Sequence, residues 1–476
     1  QLLVTNWAAV MRGNVMATVT LEGERGTTVV RVEAEELPRR SWQTWLIGRP
    51  LQTADAPHQT IGKLVGLAVF ASDALSSTAY ATQEILVVLA FVGTSALGYA
   101  FPISLAIVGL LTILTLSYEQ TIHAYPGGGG AYIVARDNLG ELPAQTAGAA
   151  LLTDYVLTVA VSISSGVAQL TSAYPELYVY RVWIAIGLVM AVMLVNLRGV
   201  KESGATFALP TYFFLAMMFL TVGAGLVRLA TGTLGTVVDP PAMERIHIVQ
   251  GVSLFLILRA FASGTTALTG VEAISNGITA FREPRSRNAG TTLIWMSAIL
   301  GSLFLGISLL AGHIAAVPSE GETVISQLAR TVLGGRGIIY LGVISATTLI
   351  LIMAANTSFA DSPRLSALHA SDGFLPRQLT YRGSRLVYSR GIVALALIAS
   401  GLIAGGAIIG ALDAITAAII KQATGSTAAK ESVYLLSQHA FEGIPGEVVG
   451  TIALVALCLF VVLFSRRAKP QSGNPA

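Results

Sequence analysis

The chain has 476 residues, 53% of them hydrophobic and 12% charged, with 29 Lys and Arg against 26 Asp and Glu. That charged share is about half the one usual for a soluble domain, and a mean hydropathy of +0.69 calls for a solvent as apolar as lipid. Composition therefore excludes a cytosolic enzyme and points to a polytopic protein surrounded by membrane lipid. A net charge of +3 gives no sign of a nucleic-acid partner, and the single Cys458 allows no intrachain disulfide or cysteine-based metal centre.

In chain order, residues 1–60 read as an N-terminal cytosolic extension, because Val15 to Glu36 alternates apolar and polar residues around Gly23-Glu-Arg-Gly26, the pattern of a small exposed hairpin. No basic stretch followed by an apolar leader stands there, so the first span is expected to direct insertion. From Ile61 onward, apolar windows of membrane-crossing length recur at 61–91, 98–118, 145–170, 181–197, 204–230, 250–280, 290–316, 335–360, 391–412 and 446–464. The transporter domain is thus placed at 61–465, with about ten spans and a cytosolic tail at 466–476. The stretch 391–445 is ambiguous between one tilted helix and a span followed by an interfacial piece, and Lys421 to Glu447 is too polar to cross.

Charge supplies the orientation. One set of alternate loops carries Arg136, Arg198, Lys201, Arg282, Arg285, Arg287, Arg364, Arg377, Arg382, Arg385 and Arg390, whereas the opposite set carries Arg181, Arg228, Arg245, Arg330 and Arg336. The richer set belongs in the cytoplasm, which makes the chain a multi-pass protein of the cell membrane with both termini cytoplasmic.

Two spans break the apolar rule. The first contains Ser72-Asp-Ala-Leu-Ser-Ser-Thr-Ala-Tyr80, placing Asp73 and four small hydroxyl residues, the Ser and Thr, at mid-depth. An Asp there costs about 2.5 to 3.5 kcal/mol even on lenient insertion scales, so Asp73 is expected to face a polar interior. The plain alternative is that Asp73 only caps the next helical piece. The sixth span repeats the irregularity with Gly264, Thr265, Thr266, Thr269, Gly270 and Glu272. Interrupted spans five helices apart point to an inverted-repeat transporter whose site lies where both unwind. In the third span Asp154, Thr158, Ser162 and Ser165 fall along one broad helical face beside Tyr155. A seam of hydroxyls bonding neighbouring helices would explain the Ser and Thr residues, though less well the carboxylate.

Carboxylates and hydroxyls without thiolate or paired imidazole disfavour transition metals and suit a hard alkali or alkaline-earth cation or an ammonium group. Gly127-Gly-Gly-Gly130 lacks the Gly-Lys-Ser/Thr of a phosphate loop and reads as a tight cytosolic re-entry.

These segments resemble a known family. Ser72-Asp-Ala-Leu-Ser-Ser-Thr-Ala-Tyr80, Tyr125-Pro-Gly-Gly-Gly-Gly-Ala-Tyr132, Asp154-Tyr155, Leu268-Thr-Gly-Val-Glu-Ala-Ile-Ser-Asn-Gly277 and Asp372-Gly-Phe-Leu-Pro-Arg377 are similar to the KimA-type potassium:proton symporters. These form part of the KUP group in the amino acid-polyamine-organocation superfamily. The resemblance covers about residues 60–400 and implies an all-α integral membrane protein with the LeuT-type inverted-repeat fold and discontinuous first and sixth spans. It implies a secondary active transporter, not an enzyme, that imports potassium by proton symport. Potassium would be held by Asp73, Tyr80, Asp154, Tyr155, Thr158, Ser162 and Thr269, with Asp73, Asp154, Thr158 and Thr269 as its direct ligands. The position of Glu272 is the expected proton carrier. The resemblance implies no permanently bound cofactor, only potassium and protons as transported species, and a homodimer. After about residue 405 the chain departs from the family pattern.

The competing function on the same fold is a proton-coupled amino acid permease. Such a site usually offers backbone N–H groups of a Gly-rich break to a substrate carboxylate. Asp73 in the first break would repel that anion and favour a dehydrated cation. A passive channel is a further alternative, but no Thr-Val-Gly-Tyr-Gly filter occurs.

Overall fold

The computed structural model describes residues 17–23, 26–32, 61–128, 130–198, 204–241, 252–383 and 387–405. The tenth expected span, the polar stretch from Lys421 and the 466–476 tail lie outside the described residues. The chain divides into two units, Gln1–Arg49 and Pro50–Ala476. In the first, strands β1 (Ala17–Gly23) and β2 (Gly26–Val32) pair antiparallel from Ala17↔Val32 to Gly23↔Gly26, where β-branched Thr and Val recur at the strand period.

The second unit is helical. In chain order its helices are α1 (Lys63–Ser76), α2 (Ala81–Ala90), α3 (Ala100–Ala124), α4 (Gly130–Leu139), α5 (Glu141–Ala173), α6 (Arg181–Leu197) and α7 (Gly204–Ala230). They continue as α8 (Leu254–Gly264), α9 (Ala273–Asn276), α10 (Arg285–His313), α11 (Val324–Leu333), α12 (Ile338–Ser371) and α13 (Ser389–Gly405). Eight continuous or broken helical segments among the described residues are long and apolar enough to cross a membrane, and they coincide with the first eight expected windows. The first of them, α1 with α2, is the most enclosed: 83% of its apolar window is buried, against 22% to 61% for the others. It packs against α7, α10 and α12, so it forms the centre of the unit.

Three elements differ from expectation. Helix α12 runs on to Ser371, so Asp361 and Arg364 stand on a helix and not in the following loop. Pro363 is accommodated inside it, with its ring packed against Gly391, where a side-chain carbon would come within 2.9 Å. The Gly-rich turn leads into the short helix α4. Between the seventh and eighth spans stands α11, read from the sequence only as a loop. Thr323 caps its start by accepting from the Ser326 N–H at 3.2 Å, and left-handed Gly334 ends it.

That helix is held by a buried acid. Glu322 accepts from Arg330 Nε at 2.8 Å and Nη2 at 3.1 Å, and from Ser326 Oγ at 2.8 Å, with Arg336 at 3.5 Å. Arg330 also reaches Val238 O at 2.5 Å. Thr323 ties the same end to the C-terminal part of α5 through Ser172 at 3.0 Å and Gln169 at 2.8 Å.

Candidate functional site

Both breaks arise from the same local chemistry. In the first, Ser76, Ser77 and Thr78 turn their hydroxyls back to the carbonyls of Asp73, Ala74 and Leu75 at 2.7, 2.6 and 2.7 Å. Such back-bonding competes with the helix ladder and bends it. α1 accordingly gives way to a 3-10 turn at Ser77–Ala79, and the helix resumes after Tyr80. In the sixth span Thr265, Thr266 and Thr269 do likewise toward Ala262, Ser263 and Thr266, at 2.6, 3.0 and 3.0 Å. Here the interruption is deeper. Thr269 is extended, Gly270 takes φ +79°, and only the single turn of α9 follows. An L side chain at Gly270 would be strained.

The two broken segments run antiparallel and touch along their length. Ile61 bonds Ala280 O at 2.8 Å and, through its carbonyl, the Arg282 N–H at 3.0 Å. Ser77 Oγ donates to Ala267 O at 3.0 Å. Between these levels Gly270 presses on Asp73, where a Cβ would meet Ala74 N at 2.7 Å and Asp73 Cγ at 2.8 Å. Glycine at 270 therefore does two things: it permits the backbone turn and lets the unwound sixth span lie on the carboxylate of the first.

Around this contact the structure gathers most of the expected site residues. Asp73 is 5% exposed, and its Oδ1 is buried without a hydrogen-bond partner. Asp154 and Glu272 are close enough to act on it electrostatically. The Tyr80 hydroxyl, also buried, is within hydrogen-bonding reach of Thr269, whose own proton goes to Thr266 O. Glu272 precedes α9, and its carboxyl lies at its own N–H and that of Gly270. On α5, Tyr155, Thr158 and Ser162 are buried, while Asp154 is partly buried. Tyr155 receives the Asn276 amide at 3.4 Å, and Ser162 Oγ, like Asp73 Oδ1, has no partner. Unpaired buried oxygens carry the full cost of lost hydration, which a dehydrated cation in contact with them would offset.

Sequence reasoning did not bring three further residues to this place. Thr357 on α12 is within hydrogen-bonding reach of the Asp73 carboxyl, and Asp361, one turn on, acts on Asp73, Tyr155 and Glu272. Tyr118 on α3 lies near Glu272 and Asp154. The polar run Asn356-Thr-Ser358 within an apolar helix was the available signal for α12. Tyr118 offered none, since a membrane helix carries aromatic residues for many reasons. The Gly-rich turn is drawn in as well: at Gly128, with φ +80°, an added Cβ would stand 3.1 Å from Asn276 O, and Gly130 abuts the Asn276 side chain. A residue with any side chain would push α4 away from the end of the sixth span.

Residues 67–463 match the amino acid permease family. Over 357 residues the chain is 47% identical to the potassium transporter KimA of Bacillus subtilis (strain 168), an alignment covering 75% of this chain and 58% of that relative. The chain thus spans somewhat more than half the length of the relative it matches. A centrally placed broken span, a second break packed on its carboxylate and a family match running through nearly the whole helical unit lead to one conclusion: this multi-pass membrane chain belongs to the amino acid permease family.

Proposed function

We propose that the protein imports potassium by proton symport, on an inverted-repeat scaffold of LeuT type. The observation that carries this reading is Asp73, buried with an unpaired carboxylate oxygen where both breaks meet, the charges acting on it being those of other carboxylates. A site of that sign gains from a bare cation and repels the carboxylate of an amino acid. Similarity to a relative named as a potassium transporter supports the same choice.

Potassium is held by Asp73, Tyr80, Asp154, Tyr155, Thr158, Ser162 and Thr269, with Asp73 and Asp154 supplying charge and Thr158 and Thr269 neutral oxygen. Backbone carbonyls freed by the breaks complete a shell at a depth where irregular backbone survives only beside a cavity. Glu272 carries the proton, loading it on one side and releasing it on the other as the site alternates. Both termini and the α12–α13 loop face the cytoplasm in this reading, which the excess of basic residues supports. No permanently bound cofactor enters this scheme, and a homodimer is the assembly that the family resemblance implies.

The test is rubidium uptake by purified protein in proteoliposomes, with and without an inward proton gradient and in competition with a mixture of amino acids. Gradient-stimulated rubidium uptake that amino acids do not inhibit is expected. Amino acid uptake without rubidium uptake would establish the permease reading instead, which the family's name favours.

A further inference from the structure

Packing fixes the depth of Asp361. Gly148 of α5 abuts the His369 ring, while a Cβ added at Gly166 would stand 3.5 Å from Leu351 Cβ and 3.7 Å from Thr348 O. Helices α5 and α12 therefore run antiparallel, and counting between these two levels sets Thr357 and Ser358 opposite Thr158 and Asp361 opposite Tyr155. Asp361 stands about 6 Å further along α12 than Thr357, toward the basic loop. Ser358 Oγ is fully buried and unpartnered at that depth, as is Asp73 Oδ1 beside Thr357. Beyond them the environment changes. The Asp361 side chain is 22% exposed, and the Arg364 guanidinium, 67% exposed, lies 3.7 Å from it.

We propose that Asp361 is the first stop of the cation leaving Asp73 toward the cytoplasm, and that Arg364 is a tethered competitor which reclaims this carboxylate and clears the ion into water. An ion held by several carboxylates leaves at a useful rate only if a weaker position adjoins the strong one. Asp361 has that character: it is charged, in electrostatic contact with Asp73, and partly hydrated. The pair with Arg364 contributes little to stability at such exposure, yet it sits where an arriving cation must displace the guanidinium. When the guanidinium returns, the carboxylate is neutralised and the ion has no second well in which to linger. Asp361 acts here as a transient binding residue and Arg364 as a positioning residue that works through it, and the inference rests on the potassium reading.

Rubidium uptake kinetics of the full chain in proteoliposomes test it. A defect confined to release lowers kcat and KM together and leaves kcat/KM unchanged. R364Q and D361N should each lower kcat by about fivefold with parental kcat/KM, and R364K should restore R364Q because a point charge on a flexible stem suffices. Rubidium-dependent thermal stabilisation should persist in D361N, since the strong site is intact, and its loss would make Asp361 part of that site and overturn the proposal. So would parental kcat in R364Q, or a kcat/KM that falls as far as kcat. A parent protein that takes up no rubidium would overturn the potassium reading and this inference with it, whereas an active parent with an unaffected R364Q overturns this inference alone.

Discussion

Glu322 and Asp73 are both buried acids, 6% and 5% exposed, and they differ in everything that surrounds them. Glu322 is met by two guanidinium N–H groups of Arg330, a serine hydroxyl and Arg336. Asp73 keeps one oxygen unpaired and has other carboxylates as its charged neighbours. The first arrangement is complete within the protein and fastens α11 over the ends of α5 and α12. The second leaves Oδ1 unsatisfied, and that is the opening the proposed cation fills. Burial of a carboxylate is therefore a poor guide to function, and the inventory of its partners is a better one.

The largest effects should separate these two acids. Asp73→Asn removes the charge that compensates ion dehydration, so rubidium uptake should fall by about 100-fold or more while the folded protein is as stable as the parent. Asp154→Asn should act in the same direction. Glu322→Gln should do the reverse: it leaves Arg330 without its counter-charge and should destabilise the fold by about 3 kcal/mol, with uptake per folded molecule close to parental. Thermal unfolding and uptake measured on the same preparations decide this. A Glu322 variant that folds well but does not transport would erase the distinction drawn here.

A smaller and more selective effect is expected at Glu272. Gln copies the protonated side chain, so Glu272→Gln should bind rubidium yet respond no longer to an inward proton gradient. Its basal uptake should change by no more than a few-fold. Retained acceleration by the gradient would remove Glu272 as the proton carrier and return it to the class of Glu322, an acid that serves packing.

Much of this contrast was legible in the sequence, and the part that was not has physical reasons. The breaks could be read because Ser, Thr, Gly and Asp at mid-depth of an apolar run are costly unless they face a cavity, which made Asp73, Thr269 and Glu272 stand out. Asp361 fell instead just past the expected eighth window, 335–360, with Ser362, Pro363 and Arg364 after it. The helix nevertheless continues through them to Ser371, with Pro363 packed against Gly391. The partnership of Glu322 with Arg330 was hidden for a related reason. The two lie eight residues apart, Glu322 just before a capped helix of ten residues and Arg330 in its last turn, and that helix is too short to register as an element beside the long spans. Periodicity identifies faces, but which acid finds a base depends on helices that are distant in sequence.

Asp372 offers a third acid with which to sharpen the comparison, at the opposite end of α12 and outside the spans. It accepts from the Tyr132 hydroxyl at 2.6 Å and lies 3.4 Å from Arg136, so it belongs with Glu322 among the partnered acids. Tyr132 is fully buried, with its ring edge-on to His369. Burial first, and then the hydrogen bond to Asp372, hold its hydroxyl above the ordinary phenol range. A group that binds its proton more tightly in the folded state contributes stability in full below its unfolded value of about 10, and loses it only as pH rises through the folded value. Tyr132→Phe should cost about 1 kcal/mol, the net worth of one such hydrogen bond. Because the tyrosine stays protonated throughout, the stability difference from the parent should be the same at about pH 6 and about pH 8. Parallel unfolding curves for the two proteins across that window are the expected result, and a difference that grows toward alkaline pH would mean that the contact depends on a titrating group other than Tyr132.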